Sequence, residues 1–259
     1  MTVETTRMGM ADSKLGPGAT SGPVGSADGQ GTGEMVKGTY RELAAEVLAR
    51  PARLGAVRLV GVDGRAGSGK TTFARRLAEE LQKSRRVTVL NTDDYLDGWA
   101  KMLIWQPRLR EWVFEPFRRG EAGAYRRYDW GLERLLDDWT AIEPPDVLIV
   151  EGVGSASVAM RGDLTLSVLV DAPRELRLRR GLERDGEALR PEWERWMASE
   201  DGHFAEDATP ESVDVLVDGA PMEAHDPEIE YIIGTIGWTA GATLGDDPVS
   251  RPDGEEQSG

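Results

Sequence analysis

Five short apolar runs punctuate the middle of the chain: Val57–Val62, Val87–Leu90, Val147–Val150, Leu164–Val170 and Val213–Val217. Each is rich in β-branched residues and bounded by Gly, Asp or Pro. Continuous rather than alternating apolar character suits strands covered on both faces. Between the runs lie stretches with the helical period: Thr71–Gln82, Leu132–Trp139, Pro173–Arg184 and Pro191–Phe204. A further helix over Tyr40–Ala49 precedes the first strand. Strand then helix, repeated, requires crossover connections, and the pattern predicts a three-layer α/β domain with a parallel sheet over residues 39–240.

The two ends read differently. Residues 1–38 hold nine Gly, two Pro, three Ser and five Thr, with no apolar face to offset the entropy of ordering. Residues 241–259 carry five acidic residues against Arg251. Both read as disordered tails around one domain. The formal net charge of −15 argues against gripping nucleic acid by neutralising its phosphates. No apolar run approaches the roughly 20 residues of a membrane-spanning helix, and no basic-then-apolar leader opens the chain. The absence of cysteine removes disulfides, thiolate metal sites and cysteine nucleophiles. A cytoplasmic protein is expected, with a small-molecule partner and neither membrane nor nucleic acid. A homo-oligomer is compatible with this reading. Residues 191–230 hold thirteen acidic side chains against Arg195 alone, and read as a solvated helix face and loop without metal-ligand spacing.

The first strand runs straight into Gly64-Arg65-Ala66-Gly67-Ser68-Gly69-Lys70-Thr71, followed by Thr72 and an amphipathic helix. This is G-x-x-x-x-G-K-T in its validating context of strand, glycine turn and helix. Backbone N–H groups of Gly64, Ala66, Gly67, Ser68 and Gly69 turn around an anion, and the helix N-terminus adds partial positive charge. Lys70 reaches toward the β- and γ-phosphates of ATP, and the Thr71 hydroxyl, next to Thr72, ligates Mg²⁺. Asn91 is the only asparagine, so a guanine-reading Asn-Lys-x-Asp motif is impossible. No Leu-Ser-Gly-Gly-Gln stretch exists, and the domain is too short for a motor or unfoldase. A small-molecule kinase remains, and it needs three further parts. The second strand ends in Asn91-Thr92-Asp93-Asp94-Tyr95, where Asp93 is the candidate base for an acceptor hydroxyl. The alternative use of this Asp pair is to cap the next helix. The third strand ends in Glu151-Gly152, which offers a carboxylate for Mg²⁺ or its water. After the fourth strand come Arg174, Arg177, Arg179, Arg180 and Arg184. Arg177, Arg180 and Arg184 share a helix face, with Arg177 a candidate nucleotide ligand and Arg180 and Arg184 candidate catalytic groups of a mobile lid. The bland alternative is a solvated basic helix paired with Glu175 and Glu183.

These residues resemble the uridine kinase, pantothenate kinase and phosphoribulokinase branch of P-loop kinases. The resemblance spans roughly Val57 to Gly219. It rests on Val-Gly-Val-Asp-Gly-Arg-Ala-Gly-Ser-Gly-Lys-Thr-Thr (60–72), Thr-Asp-Asp-Tyr (92–95), Tyr-Arg-Arg-Tyr-Asp-Trp (125–130), Val-Glu-Gly (150–152) and the arginine-rich helix. It implies a P-loop NTPase fold with a five-stranded parallel sheet in the order 2-3-1-4-5, a helical acceptor-site insert and an arginine-rich lid. It further implies ATP and Mg²⁺ as cofactors, Asp93 as base, Glu151 as the third-strand acid, and a pyrimidine nucleoside as acceptor. Uridine kinases read the base with aromatic and His residues between the second and third strands, whereas His203 and His225 here lie beyond the fourth. In their place the insert supplies Tyr95, Trp99, Trp105, Trp112, Phe114, Phe117, Tyr125, Tyr128 and Trp130. Such rings stack on a flat base, or equally form the core of a helical cap. Tyr95, Tyr125 and Tyr128 are the candidate substrate residues, with Asp129 accepting from a ribose or other polyol hydroxyl. The rival readings are a kinase of another nucleoside-like metabolite and a regulatory ATP-binding protein that hydrolyses slowly.

Overall fold

The structure, a computed structural model, describes residues 36–96, 98 and 102–234. The expected tails over 1–38 and 241–259 lie outside the described residues apart from Val36–Gly38, and so does Trp99. The chain enters through β1 (Lys37–Thr39) and turns directly into α1 (Tyr40–Ala49). The Thr39 hydroxyl accepts from the Glu42 N–H at 3.1 Å, while the Glu42 carboxylate accepts from the Thr39 N–H at 3.2 Å. This reciprocal capping box starts the helix where the periodicity predicts it. β2 (Arg58–Asp63) leads through the glycine turn into α2 (Lys70–Gln82), and β3 (Val87–Asn91) ends in a 3-10 turn over Thr92–Tyr95. The insert then runs through α3 (Trp105–Leu109), a π-helical turn (Arg110–Phe114) and α4 (Glu115–Arg118). It closes with β4 (Gly123–Tyr125), β5 (Tyr128–Asp129), β6 (Arg134–Leu135) and β7 (Thr140–Ile142). The core resumes with β8 (Val147–Glu151), α5 (Val158–Arg161), β9 (Leu164–Asp171), α6 (Arg174–Asp185), α7 (Arg190–Asp207), β10 (Val215–Asp218) and β11 (Glu230–Ile232).

The central sheet is parallel throughout, in the order β3-β8-β2-β9-β10. Counting only these strands along the chain, that is 2-3-1-4-5. Each face has its own apolar layer. On one, Leu43, Val47, Phe73 and Leu77 of α1 and α2 cover Val60, Val62 and Ile149. On the other, Trp105, Leu109, Phe114, Trp196 and Phe204 cover Leu59, Leu148 and Val150. Each fully buried aliphatic side chain contributes about 1.5–3 kcal/mol, which is why unbroken apolar runs mark these strands.

Three expectations are corrected. Leu132–Trp139 has helical spacing but forms no helix: β5 pairs antiparallel with β6, and β4 with β7. Asp129 decides this, because its Oδ1 accepts from the N–H of Gly131 and of Leu132, both at 2.9 Å, and the turn it makes defeats helix nucleation. Lys37 and Gly38, expected in the tail, pair with Ile232 and Tyr231 in β11. A Cβ on Gly38 would lie 2.5 Å from the Tyr231 hydroxyl, so the glycine is there to admit a ring. The acidic helix is not simply solvated: α7 buries Trp193, Trp196, Met197, Phe204 and also Glu200.

Candidate active site

β2 is buried along nearly its whole length and delivers Asp63, which is fully buried, to the start of the phosphate loop. Its carboxylate accepts from the N–H groups of Gly64, Gly154 and Ala156 at 2.7–2.9 Å. One side chain thereby ties the loop after β2 to the loop after β8. Burial raises the Asp63 pKa, with the three backbone bonds pulling against it. Gly67 takes φ +79°, and a Cβ there would lie 2.5 Å from the Arg177 carbonyl oxygen, so α6 packs directly on the loop. Gly69, at φ +104°, precedes α2 and leaves its first turn without a side-chain cap. The N–H groups of Lys70, Thr71 and Thr72 therefore have no intrahelical acceptor and face the loop as an anion seat.

Glu151, at the end of β8, collects the neighbouring elements. Its Oε1 accepts from the Thr71 hydroxyl at 2.9 Å and lies 4.0 Å from Lys70 Nζ. Its Oε2 accepts from Asn91 Nδ2 at 2.8 Å, and Asn91 Oδ1 in turn accepts from the Asp93 N–H at 2.8 Å. Asn91, which the motif analysis used only to exclude guanine recognition, thus couples the Glu151 carboxylate to the turn that carries Asp93. It also caps that turn, so the Asp pair has no capping duty. Asp93 is exposed, whereas Asp94 is half-buried beside it. Burial raises the Asp94 pKa, with Arg127 opposing and Asp93 reinforcing the shift.

Burial also pushes Glu151 up to about 7, against the pull of Lys70 and with a further push from Asp93. The stabilising effect of its proton is fully present below the ordinary carboxylate value. It is lost as pH rises through about 7. Glu151→Gln, neutral at every pH, is therefore expected to gain stability relative to the wild type between pH 4.5 and 7. The gain is about 3 kcal/mol at roughly 1.4 kcal/mol per unit. Denaturant titrations of both proteins across this range in a chelating buffer check it, and a difference that does not grow with pH contradicts it.

Mg²⁺ and a polyphosphate fit these residues. Thr71 and Glu151 present hard oxygen donors 2.9 Å apart at the open end of an uncapped helix, with Lys70 alongside.

The arginines divide. Arg177 is buried, donates from Nε to the Ala172 carbonyl at 2.9 Å, and lies behind the loop, which corrects its expected place among the nucleotide ligands. Arg180 bridges the carbonyls of Gly67 and Gly219 at 3.0 and 3.1 Å. Arg184 pairs with Asp185 through Nε and Nη2, and that pairing is the main cause of its raised pKa. The charges of Asp93 and Glu151 also raise it.

At the acceptor side, Tyr95 is fully buried, with its ring edge-on to Tyr125 at 5.5 Å. Trp105, Phe114 and Phe117 are core as well, and Tyr128 is buried against Trp130. Asp129 is occupied by its own turn. Of the expected acceptor residues, Tyr95 and Tyr128 are thus buried among other rings, and Asp129 holds its turn through Oδ1. Among the three candidate tyrosines Tyr125 alone stays half-open, with Arg127 and Asp94 among the charges that act on its hydroxyl. Arg127 escaped sequence reasoning because nothing in Tyr-Arg-Arg-Tyr distinguishes it from Arg126, which bonds the Leu136 carbonyl and Asp137. Trp105 and Gln106 anchor the insert by donating to the carbonyls of Val153 and Gly154.

On the other side of the loop a cavity of about 520 Å³ is lined by Thr72, Arg76, Arg180, Gly219, Pro221 and His225 among others. This is within the usual size of a small-ligand site. The phosphate-loop motif and the arginine helix reach it through Gly69, Thr72 and Arg180, but the wall from residues 217–232 carries no motif.

The family model described as "AAA domain" matches residues 60–200. The uridine kinase of Staphylococcus haemolyticus is 29% identical over 142 residues, covering 49% of this chain and 68% of that protein. That of Staphylococcus aureus is 28% identical over 145 residues, covering 50% and 69%. A solved structure described as a possible uridine kinase from Bacillus stearothermophilus superposes with a TM-score of 0.52 at 20% identity, over 68% of this chain and 96% of that one. It shares the fold. With more than half its length matched, the chain belongs to the AAA domain family of P-loop proteins, as a uridine kinase-like P-loop kinase.

Proposed function

We propose that the protein transfers the γ-phosphate of ATP to a hydroxyl of a small molecule, a pyrimidine nucleoside in the first instance. The observation that carries this reading is the chain Thr71–Glu151–Asn91–Asp93. It sets an exposed carboxylate at a fixed place beside the phosphate loop. A protein that only binds or slowly hydrolyses ATP has no need of a base aimed at an acceptor.

In this reading the uncapped turn of α2 and Lys70 hold the polyphosphate, and the 520 Å³ cavity receives the adenosine. Thr71 and Glu151 would hold Mg²⁺, which would supply positive charge to offset that of the phosphates. Asp93 orients the acceptor hydroxyl and takes its proton as the bond to phosphorus forms. Arg184, paired with Asp185 at the end of α6, is the arginine that would offset charge on the phosphoryl group in flight. The half-open ring of Tyr125 and the guanidinium of Arg127 offer a flat acceptor a stacking edge and a hydrogen-bond donor. Among the described residues no helix is long and apolar enough to cross a membrane, and a cytoplasmic site of action is part of the same proposal.

The test is an acceptor screen with γ-labelled ATP and Mg²⁺, beginning with uridine and cytidine and extending to other nucleosides and polyols. Acceptor-dependent transfer to a pyrimidine nucleoside is expected. Transfer to another class alone would replace the nucleoside and keep the kinase. Slow hydrolysis indifferent to every acceptor would favour the regulatory reading.

A further inference from the structure

The phosphate loop is held from two sides. Its second half continues into α2, but its first half, Arg65–Gly67, is gripped by side chains of α7. Glu200 Oε1 accepts from the Ala66 N–H at 2.7 Å, across 134 residues of sequence. The same oxygen accepts from Trp196 Nε1 at 2.7 Å. The next residue, Asp201, accepts from Arg65 Nε at 3.0 Å and from Arg174 Nη1 at 2.6 Å. Glu200 is 0% exposed. A carboxylate taken wholly out of water is costly unless it is paired and hydrogen-bonded. The cation nearest Glu200 Oε2 is Arg177 Nη1 at 3.5 Å, yet neither atom has a hydrogen-bond partner. The ion pair is therefore poorly made, while the bond to the loop amide is short. As an element of stability alone this is a poor arrangement; as a fixed acceptor for one loop amide it is a good one.

We propose that Glu200 is a positioning residue of the phosphate loop: from α7 it holds the Ala66 amide and sets the curvature that the loop presents to a polyphosphate. The proposal rests on the loop being the nucleotide site. Burial pushes the Glu200 carboxyl up, and the Ala66 amide and the Lys70 ammonium are among the groups that favour its charged form. The acidic helix thus has a task in the site: α6 backs the loop at Gly67, and α7 fastens it at Ala66.

The experiment measures Kd for Mg·ATP and for AMP by calorimetry, together with Tm, for the wild type, Glu200→Ala, Glu200→Gln and Trp196→Phe. AMP lacks the β- and γ-phosphates that the curvature serves. Glu200→Ala is expected to weaken ATP about tenfold, the scale of one lost buried hydrogen bond, and AMP much less. Glu200→Gln keeps an oxygen for Ala66, so it is expected to recover most of the ATP affinity. Trp196→Phe leaves the Ala66 bond in place and should bind ATP as the wild type does. Should Glu200→Ala not fold, amide exchange at Ala66 in the wild type decides: protection supports the latch, and exchange at an open-loop rate overturns it. Equal weakening of ATP and AMP by Glu200→Ala, or ATP binding by Glu200→Gln as weak as by Glu200→Ala, overturns the positioning role. A wild type that binds no ATP overturns the nucleotide reading and this proposal with it.

Discussion

Asp93→Asn is expected to lower kcat by about 10²–10⁴, the usual contribution of a general base. That corresponds to roughly 3–5 kcal/mol of barrier at 1.36 kcal/mol per decade. The geometry makes the substitution clean. Asn91 holds the backbone N–H of residue 93, not its side chain, so the turn survives the exchange. The residue is exposed, and loss of its carboxylate leaves no buried donor stranded. Nucleotide affinity should barely change, because the cavity assigned to adenosine lies on the opposite side of the loop. Asp94→Asn provides the contrast. Asp94 is half-buried beside Asp93, where it can support the turn but not receive the acceptor proton, so a loss of tenfold or less is expected, on the ~1 kcal/mol scale of a local hydrogen bond. Measuring kcat and nucleotide Kd for both variants with the best acceptor decides. Small and equal effects would end the case for Asp93 as the base and bring back the regulatory reading.

Lys70→Ala should abolish measurable transfer. The Lys70 side chain is nearly buried, with Nζ 4.0 Å from Glu151 Oε1, so its charge acts at short range and with little screening. Removing one preorganised charge-stabilising donor typically costs about 10²–10³ in kcat. Here the loss extends further, because Lys70 also restrains the Glu151 pKa. Without it the carboxyl is held protonated more strongly, and protonated Glu151 is a poor metal ligand. The fold should persist, since Lys70 begins α2 and the apolar face of that helix is made by Phe73, Leu77 and Leu81. A variant with normal turnover and any confirmed acceptor would show that the loop does not serve the transferred phosphate. A variant that fails to fold would show that Lys70 is needed to neutralise Glu151.

The sheet and the phosphate loop were legible because each announces itself locally. Val147–Val150 is apolar at every position since both faces are covered, and Gly64–Thr71 carries its meaning in its spacing. Residues whose work is done at long range were not legible. Asp63, Asn91 and Glu200 each join segments 60 or more residues apart, as in Gly154 to Asp63, Asn91 to Glu151 and Ala66 to Glu200. Nothing in their sequence neighbours separates them from a strand-end acid, a turn residue and a helix acid. Periodicity misled at Leu132–Trp139, because four apolar residues at helical spacing say nothing about a preceding Asp129 that closes a turn. The aromatic insert misled for a related reason: a ring that can stack on a ligand can equally fill a core, and Tyr95, Trp105, Phe114 and Phe117 do the latter.

The pairing of β1 with β11 has a consequence for how the molecule comes into being. Thr39 meets Glu230 and Lys37 meets Ile232, so this small ribbon joins opposite ends of the domain, and Tyr40, Tyr231 and Ile232 beside it line the 520 Å³ cavity. Contacts so distant in sequence are the slowest to form. During synthesis the phosphate loop, Asp93 and Glu151 all emerge and can assemble well before Tyr231 leaves the ribosome. The wall formed by Tyr231 and Ile232 cannot. A nascent or truncated chain ending before Glu230 is therefore expected to hold the phosphate loop, Asp93 and Glu151 on an assembled sheet while the 520 Å³ cavity still stands open on that side.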